Sequence, residues 1–399
     1  MKYIVLIGDG MSDYPLKQLG GKTPLQAART PNLDYLAKNG LGGWVNNIPS
    51  GMSPGSDVAA MSIFGYDPQK YYTGRGPLEA ASLGVKLKPN EVAFRCNLVT
   101  VRDGRMDDFT SGHITTPEAR KIIKTLNQKI GNRHFRFYPG LSYRHLLVIS
   151  GQSTVNSERL KCTPPHDITG KMVEDYLPKG PGAQILNYLM KESIMPLLEH
   201  PVNIKRMKQG HPPASMIWLW GQGGAPRLKS FKKEYGKSAA VITAVHLIKG
   251  LGKILGMEVI NVPGATGFLD TNYKGKAQYA IRALKKHDLV IVHVEAPDEA
   301  GHMGDVKGKV KAIEDFDRLV VGTILKRVKG QGSRVKILVL PDHPTPIAKM
   351  THTAEPVPFV IFPRVGGALA PIKGFNEKEF KKAKFKIKDG YKLMGKLLR

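Results

Sequence analysis

The apolar runs of this chain do not alternate with polar residues. Tyr3–Ile7, Val241–Ile242, Glu258–Val262, Leu289–Val294, Val335–Leu340 and Val357–Phe362 are for the most part unbroken. Strands of this kind are buried on both faces and require a sheet covered by helices. Helical stretches lie between them. Thr30 and Pro31 open one that runs through Ala37, with Thr30 as cap and Pro31 in the first turn. Tyr273–Lys286 and Val306–Arg327 read as two more, and in the second Val310, Ile313, Phe316, Val320 and Leu325 share one face. Strand–helix–strand alternation in the C-terminal part gives an α/β class, a central sheet flanked by helices.

The middle of the chain breaks this rhythm. From Tyr66 to Asp175 the segments are shorter and more strand-like, as in EVAFRCNLVTV and HFRFYPGLSYRHLLVIS, around one helix at Pro117–Ile130 with Thr115 and Thr116 as cap candidates. Pro and Gly punctuate both ends, GYDP and GRGP before, TPPHD and LPKGPG after. The expected organisation is a smaller α+β domain at residues 66–175, inserted into a discontinuous main domain at 1–65 and 176–399.

A length of 399 residues allows about two to three domains. The 41% hydrophobic content is that of a globular chain and argues against global disorder. No apolar run approaches the ~20 residues of a membrane span. The N-terminal run MKYIVLIGDG stops at Gly8 and Asp9, which reads as a first strand rather than a secretion signal, so the sequence predicts a cytoplasmic protein without membrane association. Cys96 and Cys162 lie far apart and form no CxxC, so reduced, packed thiols are expected rather than a zinc–thiolate site. The formal charge of +27 makes nucleic acid the rival partner. It is set aside because the basic residues are mostly Lys spread along the chain, with one dense block at Lys373–Arg399, and no nucleic-acid-binding motif accompanies them. The Lys content is compatible with growth at high temperature.

Four short motifs carry the chemistry: Asp9 in IGDG, Ser56 in PGSDVA, Asp298 and His302 in EAPDEAGH, and Asp342, His343 and His352 in PDHPTPIAKMTHT. Asp9 directly follows its strand, and Asp298 and Asp342 come shortly after theirs, where ligands of open α/β sheets gather. A single Asp there is most often a helix cap; three, two of them joined by histidines, point to a site. Asp298 and His302, four apart, project from one side of a helical turn. These O and N donors without thiolates suit Mn²⁺, Zn²⁺, Co²⁺ or Mg²⁺, with the imidazoles arguing against a pure oxygen cage. Ser56 stands at the start of a helix, where it is either an ordinary N-cap or a hydroxyl beside free N–H groups that attract phosphate. Beside two divalent cations such a hydroxyl becomes a nucleophile for phosphoryl transfer.

The stretches VLIGDGMSD, LQAARTPNLDYLA, SPGSDVAAMSIFGYDP, GRGPLEAASLGV, TPPHDITG, VPGATGFLDTNYKGKA, VHVEAPDEAGHMGD and LVLPDHPTPI, in this order, resemble the archaeal-type cofactor-independent phosphoglycerate mutases of the alkaline phosphatase superfamily. The resemblance spans essentially the whole chain. It implies an alkaline-phosphatase-like fold. It also implies one ion held by Asp9, Ser56, Asp342 and His343, and another by Asp298, His302 and His352. Ser56 would carry phosphate transiently while 3-phosphoglycerate and 2-phosphoglycerate interconvert without 2,3-bisphosphoglycerate. Water must then be excluded, which closure of the inserted domain would achieve. Arg95, Arg144, His145, His166 and Asp167 are the candidates there for clamping the glycerate carboxylate and phosphate. Arg144 and His145 are neighbours on a strand, so one of them at most faces the substrate. His166 or Asp167 is the candidate proton shuttle; Arg75 and Lys276 are lesser candidates for phosphate contact. His293, within a strand, is read as packing. A homo-oligomer stays open. The rivals are a phosphatase, phosphopentomutase or nucleotide phosphodiesterase of the same superfamily, a nucleic-acid-binding protein, and an inactive scaffold.

Overall fold

In the computed structural model, which describes residues 1–151, 155–329, 334–364, 372–381 and 383–399, the apolar runs align as neighbours in one eight-stranded sheet. Its spatial order is Lys386–Ile387, Leu41–Val45, Val357–Phe362, Val335–Leu340, Lys2–Gly8, Leu289–Val294, Ala239–Ile242, Glu258–Ile260. Lys2–Gly8 is central and pairs in parallel with Leu289–Val294 on one side and Val335–Leu340 on the other. The antiparallel neighbours Val357–Phe362 and Leu41–Val45 complete a mixed sheet. Every residue of Leu289–Val294 and Val335–Leu340 is buried, His293 and Lys336 included, as strands covered on both faces demand. The core on this sheet joins strand residues Ile4, Leu6, Val290, Val292, Ile337 and Val339 to helix residues Leu33, Leu36, Ala280, Ile313 and Phe316.

The helices follow the expected positions with two physical differences. Pro31–Asn39 is not capped by Thr30; the Asp317 carboxylate, 284 residues away, accepts the Leu33 N–H at 2.7 Å and the Asn32 N–H at 3.3 Å. A long-range carboxylate thus satisfies the free N–H groups of the first turn. The expected helix over Val306–Arg327 is Val306–Asp315 and Gly322–Val328 joined by a wider π-helical turn, Phe316–Val321, which turns Asp317 toward the helix it caps.

The chain divides into two compact units, residues 1–72 with 228–399, and residues 73–227. The second unit is α+β in composition, but its limits differ from the expected 66–175. The helix Pro68–Tyr71 stays in the first unit, and residues 176–227 join the second. Strand Met216–Gly224 pairs antiparallel with Glu91–Arg102, which is also paired with Arg144–Ser150. Helix Ala183–Glu192 sends Leu186, Leu189 and Met190 into the same core as Phe94, Leu98, Ile122 and Trp218. The Pro-rich loop near residue 176 therefore lies inside this unit: Gly and Pro mark a turn, and only strand pairing reveals on which side of it a domain ends. Helix Thr116–Lys129 starts at a Thr115–Glu118 capping box, with the Thr115 N–H donating to Glu118 Oε2 at 3.1 Å. Among the described residues no helix is long and apolar enough to cross a membrane.

Candidate metal centre

Three parallel strands side by side end at one edge of the sheet, and each delivers a carboxylate. Asp9 follows Lys2–Gly8 and its N–H donates to the Val294 carbonyl at 2.9 Å. Asp342 follows Val335–Leu340, and Asp298 lies in the helix Ala296–His302 just after Leu289–Val294. The three are buried. Gly10 turns the chain at φ 61°; a Cβ there would stand 2.6 Å from both Asp298 Oδ1 and Thr345 Oγ1, so a side chain at this position is excluded.

Two ligand groups form. Asp9, Asp342 and His343 bring donor atoms within 4.8 Å of one another, and so do Asp298, His343 and His352. His343 Nε2 lies 3.6 Å from Asp9 Oδ1, 3.4 Å from Asp342 Oδ2 and 3.2 Å from Ser56 Oγ. His302 Nε2 lies 3.2 Å from Asp298 Oδ2 and 2.9 Å from His352 Nε2, which is 3.4 Å from Asp298 Oδ1. The Met350 carbonyl accepts from His302 Nδ1 at 3.0 Å, which leaves Nε2 as the donor atom for a cation once the ring is neutral. Thr345, buried, links the groups: its hydroxyl contacts Asp298 Oδ1 and lies 3.3 Å from His343 Nδ1. All seven residues expected at the centre therefore meet within one unit.

The electrostatics fit divalent cations. Both oxygens of Asp9 and Oδ2 of Asp342 are buried without a hydrogen-bond partner. Burial, then the charges of Asp342 and Asp298, push the Asp9 carboxyl well above its ordinary range, so its ionised form needs a positive charge beside it. Burial also acts on Asp298, but its bonds to His302 and His352 outweigh it and hold this carboxyl well below its usual range. The same bond to Asp298 raises His302 to about 9. Unpaired buried acceptors and imidazoles converging without thiolates make a donor set for divalent cations.

Ser56 is the first residue of helix Ser56–Ile63, and Gly55 occupies the cap position. The serine is thus not the N-cap, and its Oγ is turned to His343.

The other predicted residues fall into two groups. In the second unit, Trp220 is a platform. The Arg95 guanidinium stacks 4.3 Å from its ring centre, Arg75 stands at 6.0 Å and the His166 ring at 5.3 Å. Arg95 is 8% exposed, and its Nε lies 2.9 Å from Glu79 Oε1. Arg144 is exposed and lies over Tyr143 at 4.9 Å. Arg75 and Arg144 both act on Arg95 electrostatically. His166 is 3.7 Å from Asp167 and is held below its ordinary range by burial, with the Arg75 and Arg95 charges adding to it.

Two placements correct the sequence reading. His145 is 1% exposed, accepts the Gly140 N–H at Nδ1 at 3.0 Å, and is driven by burial down to about 3. It is a neutral packing group on the face opposite Arg144. Lys276 is completely buried; its ammonium donates to the His293 carbonyl at 3.1 Å, and burial brings it to about 8. It supports the strand beneath Asp9 and has no exposed surface for a phosphate.

The sequence reading assigns no role to Trp220, Thr345 or His113 and takes His293 as packing. His293 approaches Asp9 with Nε2 at 3.1 Å from Oδ2. His113 follows Ser111 and Gly112 in three successive left-handed residues, φ 50°, 60° and 48°, and its ring lies 6.4 Å from Tyr143. Such strain in two non-glycine residues is held only where the surroundings impose it. Its one sequence signal is the Ser-Gly-His tripeptide between two Thr-rich turns. In a strand covered on both faces the alternation that would expose His293 is absent.

Residues 37–203 match the family described as 2,3-bisphosphoglycerate-independent phosphoglycerate mutase. The enzyme so named from Methanosarcina barkeri is 53% identical over 399 residues, covering the whole of both chains. Its counterpart from Methanopyrus kandleri is 41% identical over 373 residues, 90% of this chain and 87% of that one. Among solved structures, a Pyrococcus horikoshii protein is 32% identical with a TM-score of 0.83, covering 100% of this chain and 96% of that one. The cofactor-independent phosphoglycerate mutase of Thermoplasma acidophilum is 29% identical with a TM-score of 0.67, covering 100% and 99%. At these identities over nearly the whole of both chains, the chain belongs to the 2,3-bisphosphoglycerate-independent phosphoglycerate mutase family.

Proposed function

We propose that this chain interconverts 3-phosphoglycerate and 2-phosphoglycerate through a phosphoserine at Ser56, with no need for 2,3-bisphosphoglycerate. The observation that carries this is a serine hydroxyl, free of any capping duty, 3.2 Å from the imidazole shared by two carboxylate–histidine groups. Asp9, Ser56, Asp342 and His343 would hold one divalent cation, and Asp298, His302 and His352 the other. When bound, such ions lower the proton affinity of a hydroxyl and neutralise charge on a transferring phosphoryl group. Ser56 Oγ attacks phosphorus, the bond from phosphorus to the glycerate oxygen breaks, and that oxygen takes up a proton. In the second half the other glycerate hydroxyl attacks phosphoserine and releases Ser56.

Further roles toward the substrate are proposed for residues of the second unit. Arg75, Arg95 and Arg144 are the proposed anchors of its carboxylate and phosphate, since planar guanidinium groups bind both in pairs of hydrogen bonds. His166 and Asp167 are the proposed proton carriers: partial burial and the Arg75 and Arg95 charges lower the ring's proton affinity against the opposing pull of Asp167, and an imidazole beside a carboxylate can pass a proton between oxygens. Mn²⁺, Zn²⁺ and Co²⁺ are the proposed ions, ahead of Mg²⁺, because imidazoles make up much of the donor set. The substrate chemistry fits a cytoplasmic enzyme.

The test is to supply purified enzyme and Mn²⁺ with 3-phosphoglycerate and no bisphosphate, then quantify 2-phosphoglycerate and inorganic phosphate. Dominant 2-phosphoglycerate and an acid-quenched phosphopeptide containing Ser56 are expected. Dominant phosphate release would make the chain a phosphatase.

A further inference from the structure

Of the three strand-end carboxylates, two are anchored by groups outside the ligand set. Asp342 Oδ1 accepts the Gly10 N–H at 3.1 Å, and Asp298 Oδ1 is bonded by Thr345. Asp9 has no such bond. What faces its Oδ2 is His293 Nε2 at 3.1 Å, the polar group outside the ligand set that approaches it, with both side chains at most 1% exposed.

His293 is fixed from behind. It sits in Leu289–Val294, in register with Ile7, two residues before Asp9. Its Nδ1 is 3.4 Å from Thr243 Oγ1, which already accepts the Val245 N–H at 3.0 Å. The Thr243 hydroxyl keeps its own proton for Nδ1. A lone pair on Nε2 would be repelled by an ionised Asp9, so Nε2 carries the ring proton. Each polar atom then has one consistent role: Val245 N–H to Thr243, Thr243 O–H to His293, His293 N–H toward Asp9.

We propose that His293, held by Thr243, is the positioning residue of Asp9, engaging Oδ2 so that Oδ1 is presented to the group it forms with Asp342 and His343. A histidine behind a metal-binding carboxylate sets its orientation and basicity, and loss of such partners typically lowers affinity by about 10–100-fold. The inference rests on the two-cation reading of the centre.

The experiment is calorimetric titration of the metal-stripped protein with Mn²⁺. Wild type is expected to bind two ions. His293→Leu should weaken one by about 10–100-fold and leave the other, at Asp298, His302 and His352, within about twofold. His293→Gln, whose amide N–H reaches the position of Nε2, should restore most of the loss. Thr243→Val, which touches no ligand, should weaken the same ion by less. Unchanged binding of both ions in folded His293→Leu overturns the inference while the two-cation reading stands. If that variant does not fold, Thr243→Val decides: wild-type affinity overturns the proposal, selective weakening of one ion supports it. Failure of wild type to bind two ions overturns the reading of the centre and this inference with it.

Discussion

Ser56 Oγ lies 3.2 Å from Nε2 of His343, a residue 287 positions away in sequence. Gly55 holds the helix cap position, so the hydroxyl is not spent on backbone N–H groups. Ser56→Ala should therefore remove the phosphoryl acceptor without unsettling the helix. Turnover should fall on the order of 10⁴-fold or more, as for loss of a covalent nucleophile. Circular dichroism should be unchanged, and rapid quench should recover no phosphoprotein.

Arg95 is stacked on Trp220 and tied to Glu79. If it anchors an anionic group of the substrate, Arg95→Met should lower kcat/KM by about 10–100-fold, the cost of one hydrogen bond to a charge. Arg95→Lys should recover little, because an ammonium neither stacks nor forks. Wild-type steady-state kinetics in Arg95→Met would remove Arg95 from the substrate site.

Proton and cation compete at His302. In the ion-free protein its bond to Asp298 raises it to about 9, so the ring is protonated at neutral pH. The sign follows for stability: a raised histidine contributes fully below its ordinary value of 6.5, and that contribution is lost as pH rises through about 9. For cation binding the sense is opposite, because the ligand must be deprotonated. Between pH 6.5 and about 9 the apparent affinity of one ion should rise roughly tenfold per pH unit. Titrations at several pH values, with proton release measured in buffers of different ionisation enthalpy, check this.

Chelation should cost both activity and stability. Each ion at 100 times its dissociation constant stabilises the folded state by about 2.7 kcal/mol, so EDTA should lower Tm and divalent cations should restore it. A melting curve indifferent to EDTA would contradict cation binding in the folded state.

Lys309 and Asp13 form a fully buried pair at 2.7 Å, and the same ammonium donates to the Thr345 carbonyl at 2.7 Å. Lys309→Met leaves a buried carboxylate without its counter-charge and should cost about 3–5 kcal/mol. The double change Lys309→Met with Asp13→Asn should cost less than the single one, measured by denaturant unfolding.

Much of the fold was legible because it rests on local pattern. Strands as apolar as Leu289–Val294 and Val335–Leu340, each broken by a single polar residue, are interior, and Asp9, Asp298 and Asp342 follow strands in the sequence itself. Spacing likewise put Asp298 and His302 on one helical turn. What sequence determined was thus the class and six of the eight strands of the main sheet; Leu41–Val45 and Lys386–Ile387 carried no comparable apolar run. Tertiary structure decided what depends on distant pairing. Met216–Gly224 joined Glu91–Arg102 and moved the unit boundary; Asp317 replaced Thr30 as the cap. Burial turned His145 and Lys276 into supports, and it set His293 against Asp9. These outcomes hinge on which face of an element meets another, and in strands covered on both faces no local alternation records it.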